Sequence, residues 1–106
     1  MPSLSRLSLP HGPPLEALLG QAVRDRRLAL GLSQEGLAAR CGMDRSFVGE
    51  VDRGKRHITT LALVRLAVGL ETTPGTLLDA AFDALRTASP PFDEAVRTHT
   101  LEPGTR

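Results

Sequence analysis

The charged side chains of this 106-residue chain crowd into its middle. Between Val23 and His57 stand eight bases (Arg24, Arg26, Arg27, Arg40, Arg45, Arg53, Lys55, Arg56) against five acids (Asp25, Glu35, Asp44, Glu50, Asp52). That local excess of three exceeds the net charge of +1 of the whole chain, so the flanks are acidic. A basic centre suits a polyanionic partner, because Lys and Arg displace the counterions of phosphate; a solvated helix face of mixed charge has the same composition. Nothing in the spacing suits catalysis: there is no nucleophile beside a base, no glycine loop to cradle phosphate and no run of metal ligands. His11, His57 and His99 are scattered and Cys41 is the only cysteine, so no metal, no cofactor, no intrachain disulfide and no enzymatic activity are expected. Cys41 reads as a small core hydrophobe rather than a redox sensor.

The elements that would position these residues follow from the apolar spacing. Apolar residues make up 41% of the chain and aromatic ones only 3%, a core of Leu, Val and Ala that favours packed helices over sheet. Residues 1–14 carry four prolines and read as a flexible arm. A first helix is expected over 15–30, with Leu15, Leu18, Leu19, Ala22 and Val23 on one face and Gly31 as its stop. Ser33 caps a short helix over 34–41 that ends at Gly42, and Asp44 caps a third over 45–53 that ends at Gly54. A fourth follows over 60–69. Thr73 and Pro74 open a fifth over 74–86, presenting Leu77, Leu78, Ala81, Phe82 and Leu85. Residues 87–106 read as a flexible or partly ordered tail, broken by Pro90 and Pro91, with at most a marginal helical turn over 92–97. No run approaches the roughly 20 apolar residues of a membrane helix, and the opening residues lack the apolar core of a signal peptide, so a soluble cytoplasmic protein is expected.

Three blocks, LSQEGLAARCG, VDRGKR and LVRLAVGL, stand in the order and spacing of a known family. The chain from about 19 to 78 resembles the Xre and Cro-like helix-turn-helix regulators, which include phage repressors and the controller proteins of restriction-modification systems. The resemblance implies an all-α fold, a compact five-helix bundle of the lambda-repressor-like DNA-binding type with flexible N- and C-terminal tails, the DNA-binding domain occupying 15–86. It also implies a sequence-specific regulator of transcription whose partner is double-stranded DNA. On the family pattern Val48 and Val51 are buried, which leaves Arg45, Ser46, Gly49 and Glu50 to face the bases. Arg45 suits guanine, Ser46 either base type, and Glu50 a cytosine amino group or a neighbouring Arg. Gly49 either makes room for a base methyl or simply weakens the helix.

Gln34, at a helix start, is expected to meet a phosphate, as the family implies. Arg53, Lys55, Arg56, His57, Thr59 and Thr60 form a second expected phosphate clamp. Phe47 is placed with the phosphate contacts, with core or rim packing as the alternative. Arg27 and Asp52 match an acid-base pair of the family and are expected to be structural, Asp replacing the more usual Glu.

A regulator of this type is expected to read a twofold-symmetric operator as a homodimer. The expected dimer interface is Leu77, Ala81, Phe82 and Leu85; the alternative is that this stripe covers the first helix. A second reading is an antitoxin-like or accessory protein that binds a partner protein, with the acidic segment 79–94, containing Asp83 and Asp93, as its contact surface.

Overall fold

The computed structural model describes residues 14–101, so the expected arm lies outside them except for Pro14. Among the described residues six helices and no strand are present: α1 (Leu15–Ala29), α2 (Gln34–Cys41), α3 (Arg45–Asp52), α4 (Thr60–Gly69), α5 (Pro74–Ala88) and α6 (Pro90–Thr98). The all-helical class follows from the sequence as expected. The number of helices does not.

Local chemistry sets most of the boundaries. The Ser33 hydroxyl accepts from the Gly36 N–H at 2.9 Å, Thr59 from Ala62 at 3.1 Å and Thr73 from Thr76 at 3.1 Å, so α2, α4 and α5 each start on a side-chain cap. Asp44 occupies the corresponding position of α3 but makes no side-chain cap bond, against expectation. Gly42 has φ of 67°, the left-handed conformation that lets the Met43 N–H turn back to the Ala38 carbonyl at 3.0 Å. The chain therefore reverses between α2 and α3 within three residues, the turn that a helix-turn-helix requires.

The expected tail is the main departure. α5 runs two residues past 86, and Ser89 then caps α6, its hydroxyl accepting from the Phe92 N–H at 3.3 Å. Pro90 and Pro91 occupy the first turn of α6, where missing N–H groups break no intrahelical bond, so they start this helix rather than prevent one. Phe92 is buried and meets Phe82 edge-on, with ring centroids 5.8 Å apart. Arg86 Nε donates to Asp93 Oδ1 at 2.6 Å and ties the two helices together. The guanidinium beside Asp93 holds its carboxyl below the usual carboxylate range.

The core joins α1 to α5 and α3 on one side and α2 to α3 and α4 on the other, with Val23, Leu37, Val48, Leu66, Leu70 and Ala81 at its centre. Burying each large aliphatic side chain contributes roughly 1.5–3 kcal/mol. Cys41 belongs to this core and burial pushes its thiol up, as a small hydrophobe requires. Two glycines permit close approach. A Cβ on Gly20 would fall on the Val51 carbonyl oxygen, and one on Gly69 would stand 2.5 Å from Cys41 Sγ. Gly20 thus brings the α1 backbone against the end of α3.

Most of the expected dimer stripe is buried within the single chain. Leu77, Ala81 and Leu85 are 3%, 0% and 1% exposed; α5 lies along α1, and Leu77 and Ala81 belong to the core. Of the four, Phe82 alone keeps substantial exposure, at 40%.

Candidate nucleic-acid interface

The interface is built on α3 and held from below. Val48 and Val51 are 0% and 1% exposed, so the opposite side of this eight-residue helix faces solvent with Arg45 and Ser46. Arg45 stands 3.7 Å from Glu35 Oε1, a contact between two well-exposed side chains that is worth little and leaves the guanidinium available. Gly49 does not join them. It is buried beneath two side chains: a Cβ there would lie 3.5 Å from Gln34 Oε1 and 3.3 Å from Arg53 Nη1. The ends of Gln34 and Arg53 thus cover this expected base-reading position.

Gln34 opens α2, where the first N–H groups lack intrahelical acceptors and the dipole favours an anion. Its side chain crosses Gly49, and Nε2 donates to Asp52 Oδ2 at 3.0 Å. The same Asp52 oxygen accepts from Arg27 Nη2 at 2.7 Å, while Arg27 Nη1 donates to the Leu32 carbonyl at 2.8 Å. The Arg27 and Asp52 side chains are only 9% and 6% exposed. This chain of hydrogen bonds joins the end of α1, the start of α2 and the end of α3, so it fixes where Gln34 sits relative to α3. Arg27 Nε and Asp52 Oδ1 remain without a hydrogen-bond partner among the described residues, a cost that offsets part of what the pair contributes.

The loop after α3 forms a second cluster. Gly54, with φ of 68°, turns the chain out of α3, and its Cα packs so close to Ala17 that a Cβ would clash. Arg56 then lies over the Phe47 ring, its guanidinium carbon 5.0 Å from the centroid, and Nη1 donates to Glu50 Oε1 at 3.1 Å. Phe47 itself packs on the core, the expected alternative to a phosphate contact, and its ring carries Arg56. Glu50 takes the neighbouring arginine rather than facing outward unpaired. His57 Nδ1 lies 2.9 Å from Glu16 Oε2 on α1, so the expected clamp includes an acid the sequence pattern did not single out. Thr59 is occupied in capping α4, while Arg53, Lys55 and Thr60 are exposed.

Between α3 and the start of α4 lies an open groove lined by Ser46, Phe47, Glu50, Arg56, Thr59 and Arg65. Arg65 was absent from the expected set. It projects from α4 and donates to the Gly42 carbonyl at 3.3 Å, which brings a further cation to the turn of the motif. Its outward position between the core residues Leu63 and Leu66 was the signal available in the sequence.

Comparison with known proteins agrees with this geometry. The helix-turn-helix family matches residues 23–77. Control protein C.SmaI of Serratia marcescens is 38% identical over 64 residues, covering 60% of this chain and 76% of that protein. Control protein C.BamHI of Bacillus amyloliquefaciens is 33% identical over 66 residues, covering 61% and 82%. Among solved structures, the restriction-modification controller protein C.AhdI of Aeromonas hydrophila superposes with a TM-score of 0.57 at 44% identity, covering 58% of this chain and 94% of that one. The matched region holds the reversal at Gly42, α3 and the buried Arg27, Asp52 and Gln34 network, and the chain belongs to the Xre/Cro-like helix-turn-helix family of DNA-binding transcriptional regulators.

Proposed function

We propose that this protein controls transcription by reading a twofold-symmetric operator as a homodimer. The observation that carries the reading is α3, anchored by Val48 and Val51, with Arg45 and Ser46 outward and the start of α2 beside it. In this arrangement Arg45 donates to guanine O6 and N7 in the major groove, and Ser46 contacts a neighbouring base. Gln34 and the first N–H groups of α2 bind a phosphate on one side of the groove; Arg53, Lys55, Arg56, His57, Thr60 and Arg65 face the backbone on the other. Arg27 and Asp52 serve as support. The family is one of DNA-binding regulators rather than enzymes, and no catalytic role is assigned to this chain.

Three of the four residues of the α5 stripe are buried within the single chain, which favours another face for the dimer. Leu61, Val64 and Val68 are 64%, 41% and 69% exposed and recur at helical spacing along α4. An isologous contact along this face would bury them in both copies. Homodimerisation is therefore proposed through α4, with half-sites about one helical turn apart, roughly 34 Å. A partner protein on segment 79–94 has less support, because Asp93 is engaged by Arg86 and Arg97. No single helix among the described residues is long and apolar enough to cross a membrane, and a cytoplasmic site of action is part of the proposal.

Selection of duplexes from a random pool tests the reading directly. The expected result is an enriched inverted repeat with a guanine in each half-site, and Arg45→Ala should cost about 1–3 kcal/mol at that position alone. Enrichment of nothing, or an Arg45→Ala variant that selects the same bases as wild type, would overturn it.

A further inference from the structure

Glu50 stands on the reading helix, where a bare carboxylate would repel the phosphates that flank any groove. It is not bare. Its Oε1 accepts from Arg56 Nη1 at 3.1 Å, and the Arg56 guanidinium lies across the Phe47 ring, 5.0 Å from the centroid. Glu50 and Arg56 side chains are 38% and 50% exposed, so the pair is open to exchange for other partners. The ring beneath is partly buried against the core and gives Arg56 a fixed platform. Lys55, the residue just before Arg56, enters no ion pair among the described residues. Two adjacent cations of one loop are thus held differently: Lys55 is free for any phosphate and Arg56 is restrained by a carboxylate on the reading helix.

We propose that Glu50 is a specificity-determining gate on Arg56. In the free protein and on arbitrary sequence, Glu50 keeps the guanidinium paired over Phe47, so Arg56 adds little to non-specific phosphate binding. At an operator that offers a cytosine amino group opposite this position, Glu50 accepts that donor instead, and the released Arg56 moves to a phosphate. Base identity is thereby converted into one additional backbone contact. The effect on discrimination comes partly from withholding affinity from wrong sequences, a form of selectivity that contact with the right base alone does not supply. The inference rests on the DNA-binding reading above and deepens it.

The test uses full-length protein and two duplexes, a random sequence and the operator from the pool selection, titrated across salt. Each phosphate neutralised on duplex DNA contributes about −0.9 to the slope of log affinity against log salt. Glu50→Gln removes the charge with little change of shape. For random duplex, this variant should bind more tightly at low salt and lose about threefold more affinity than wild type between roughly 50 and 200 mM salt, one contact's share. The operator-to-random ratio should fall about tenfold. In an Arg56→Ala background the same Glu50→Gln change should leave the salt slope for random duplex unaltered, because no cation is there to release.

An equal gain in both backgrounds would mean simple loss of repulsion and would overturn the gate. So would no gain on random duplex, or an operator-to-random ratio that stays as in wild type. Failure of the underlying reading looks different: wild type itself would then show no salt-dependent affinity for either duplex. Unchanged unfolding midpoints are expected for these exposed-site variants and separate binding effects from loss of fold.

Discussion

At the scale of single residues, the interface is governed by which polar side chains have partners inside the protein. Asp52 is the clearest case. One of its oxygens serves both Arg27 and Gln34, and all three elements of the motif meet there. Removing the carboxylate leaves Arg27 buried without its counter-charge, so Asp52→Ala should lower unfolding stability by about 3–5 kcal/mol. Chemical denaturation checks the magnitude. A loss below about 1 kcal/mol would show that the pair is only decorative. Gly49 shows the opposite situation, since its nearest non-local neighbours are the flexible ends of Gln34 and Arg53. Gly49→Ala should raise helix stability by up to about 1 kcal/mol, because those ends can move and glycine is a poor helix former.

At the scale of elements, two junctions decide the arrangement. The first is the crossing of α1 and α3 at Gly20, where an added Cβ meets the Val51 carbonyl. Backbone cannot yield as a side-chain end does. Gly20→Ala should therefore destabilise by more than the typical 1–3 kcal/mol of core overpacking, despite improving intrinsic helix propensity. Thermal unfolding of this variant beside Gly49→Ala makes the contrast measurable, and a stabilised Gly20→Ala would refute the close crossing. The second junction is the α5–α6 hairpin, closed by Arg86 and Asp93. Because the Asp93 carboxyl is held below its ordinary value, its contribution is present above the unfolded value near pH 3.9 and is lost as pH falls through the folded one. The unfolding midpoint of wild type should thus exceed that of Asp93→Asn at about pH 5 and converge with it in stronger acid. A constant difference across that range would show that the carboxylate charge is not what holds the hairpin.

At the scale of the whole molecule, the apolar surface left after folding extends to a second place that the sequence did not suggest. Leu77, Ala81 and Leu85 of α5 turn inward, while Leu61, Val64 and Val68 on α4 stay open, as do Leu78 and Phe82 on α5. If two copies pair through α4, sedimentation at micromolar concentration should give a dimer for wild type and a monomer for Val68→Asp. A Val68→Asp protein that remains dimeric would move the interface elsewhere. Because Val68 is 69% exposed, this substitution should leave the unfolding transition of the single chain almost unaltered.

Much of the fold was legible in the sequence because its signals are local. Ser33, Thr59 and Thr73 are side-chain caps that act over three residues, and Gly31, Gly42 and Gly54 take the positive φ that helix exits use. The same grammar governs α6, where Ser89 and Pro90 repeat what Thr73 and Pro74 do, yet paired prolines read as a break when the packing partner is out of sight. Of the interface, Arg45, Ser46, Gln34, Arg27 and Asp52 could be placed through the three family blocks. Gly49 could not, because its burial is produced by Gln34, fifteen positions earlier in the chain.

The sequence by itself determined where α1 to α4 lie, where α5 begins, and which residue reverses the chain between α2 and α3. Each depends on interactions within one turn or on a periodicity of three to four residues. Only the tertiary structure decided that Leu77, Ala81 and Leu85 face inward, that Arg65 joins the groove and that Glu50 restrains Arg56. The physical reason is that exposure is a property of pairs of elements. An apolar stripe is core or interface according to what lies across from it, and a charge is a reader or a partner according to which opposite charge comes within hydrogen-bonding reach.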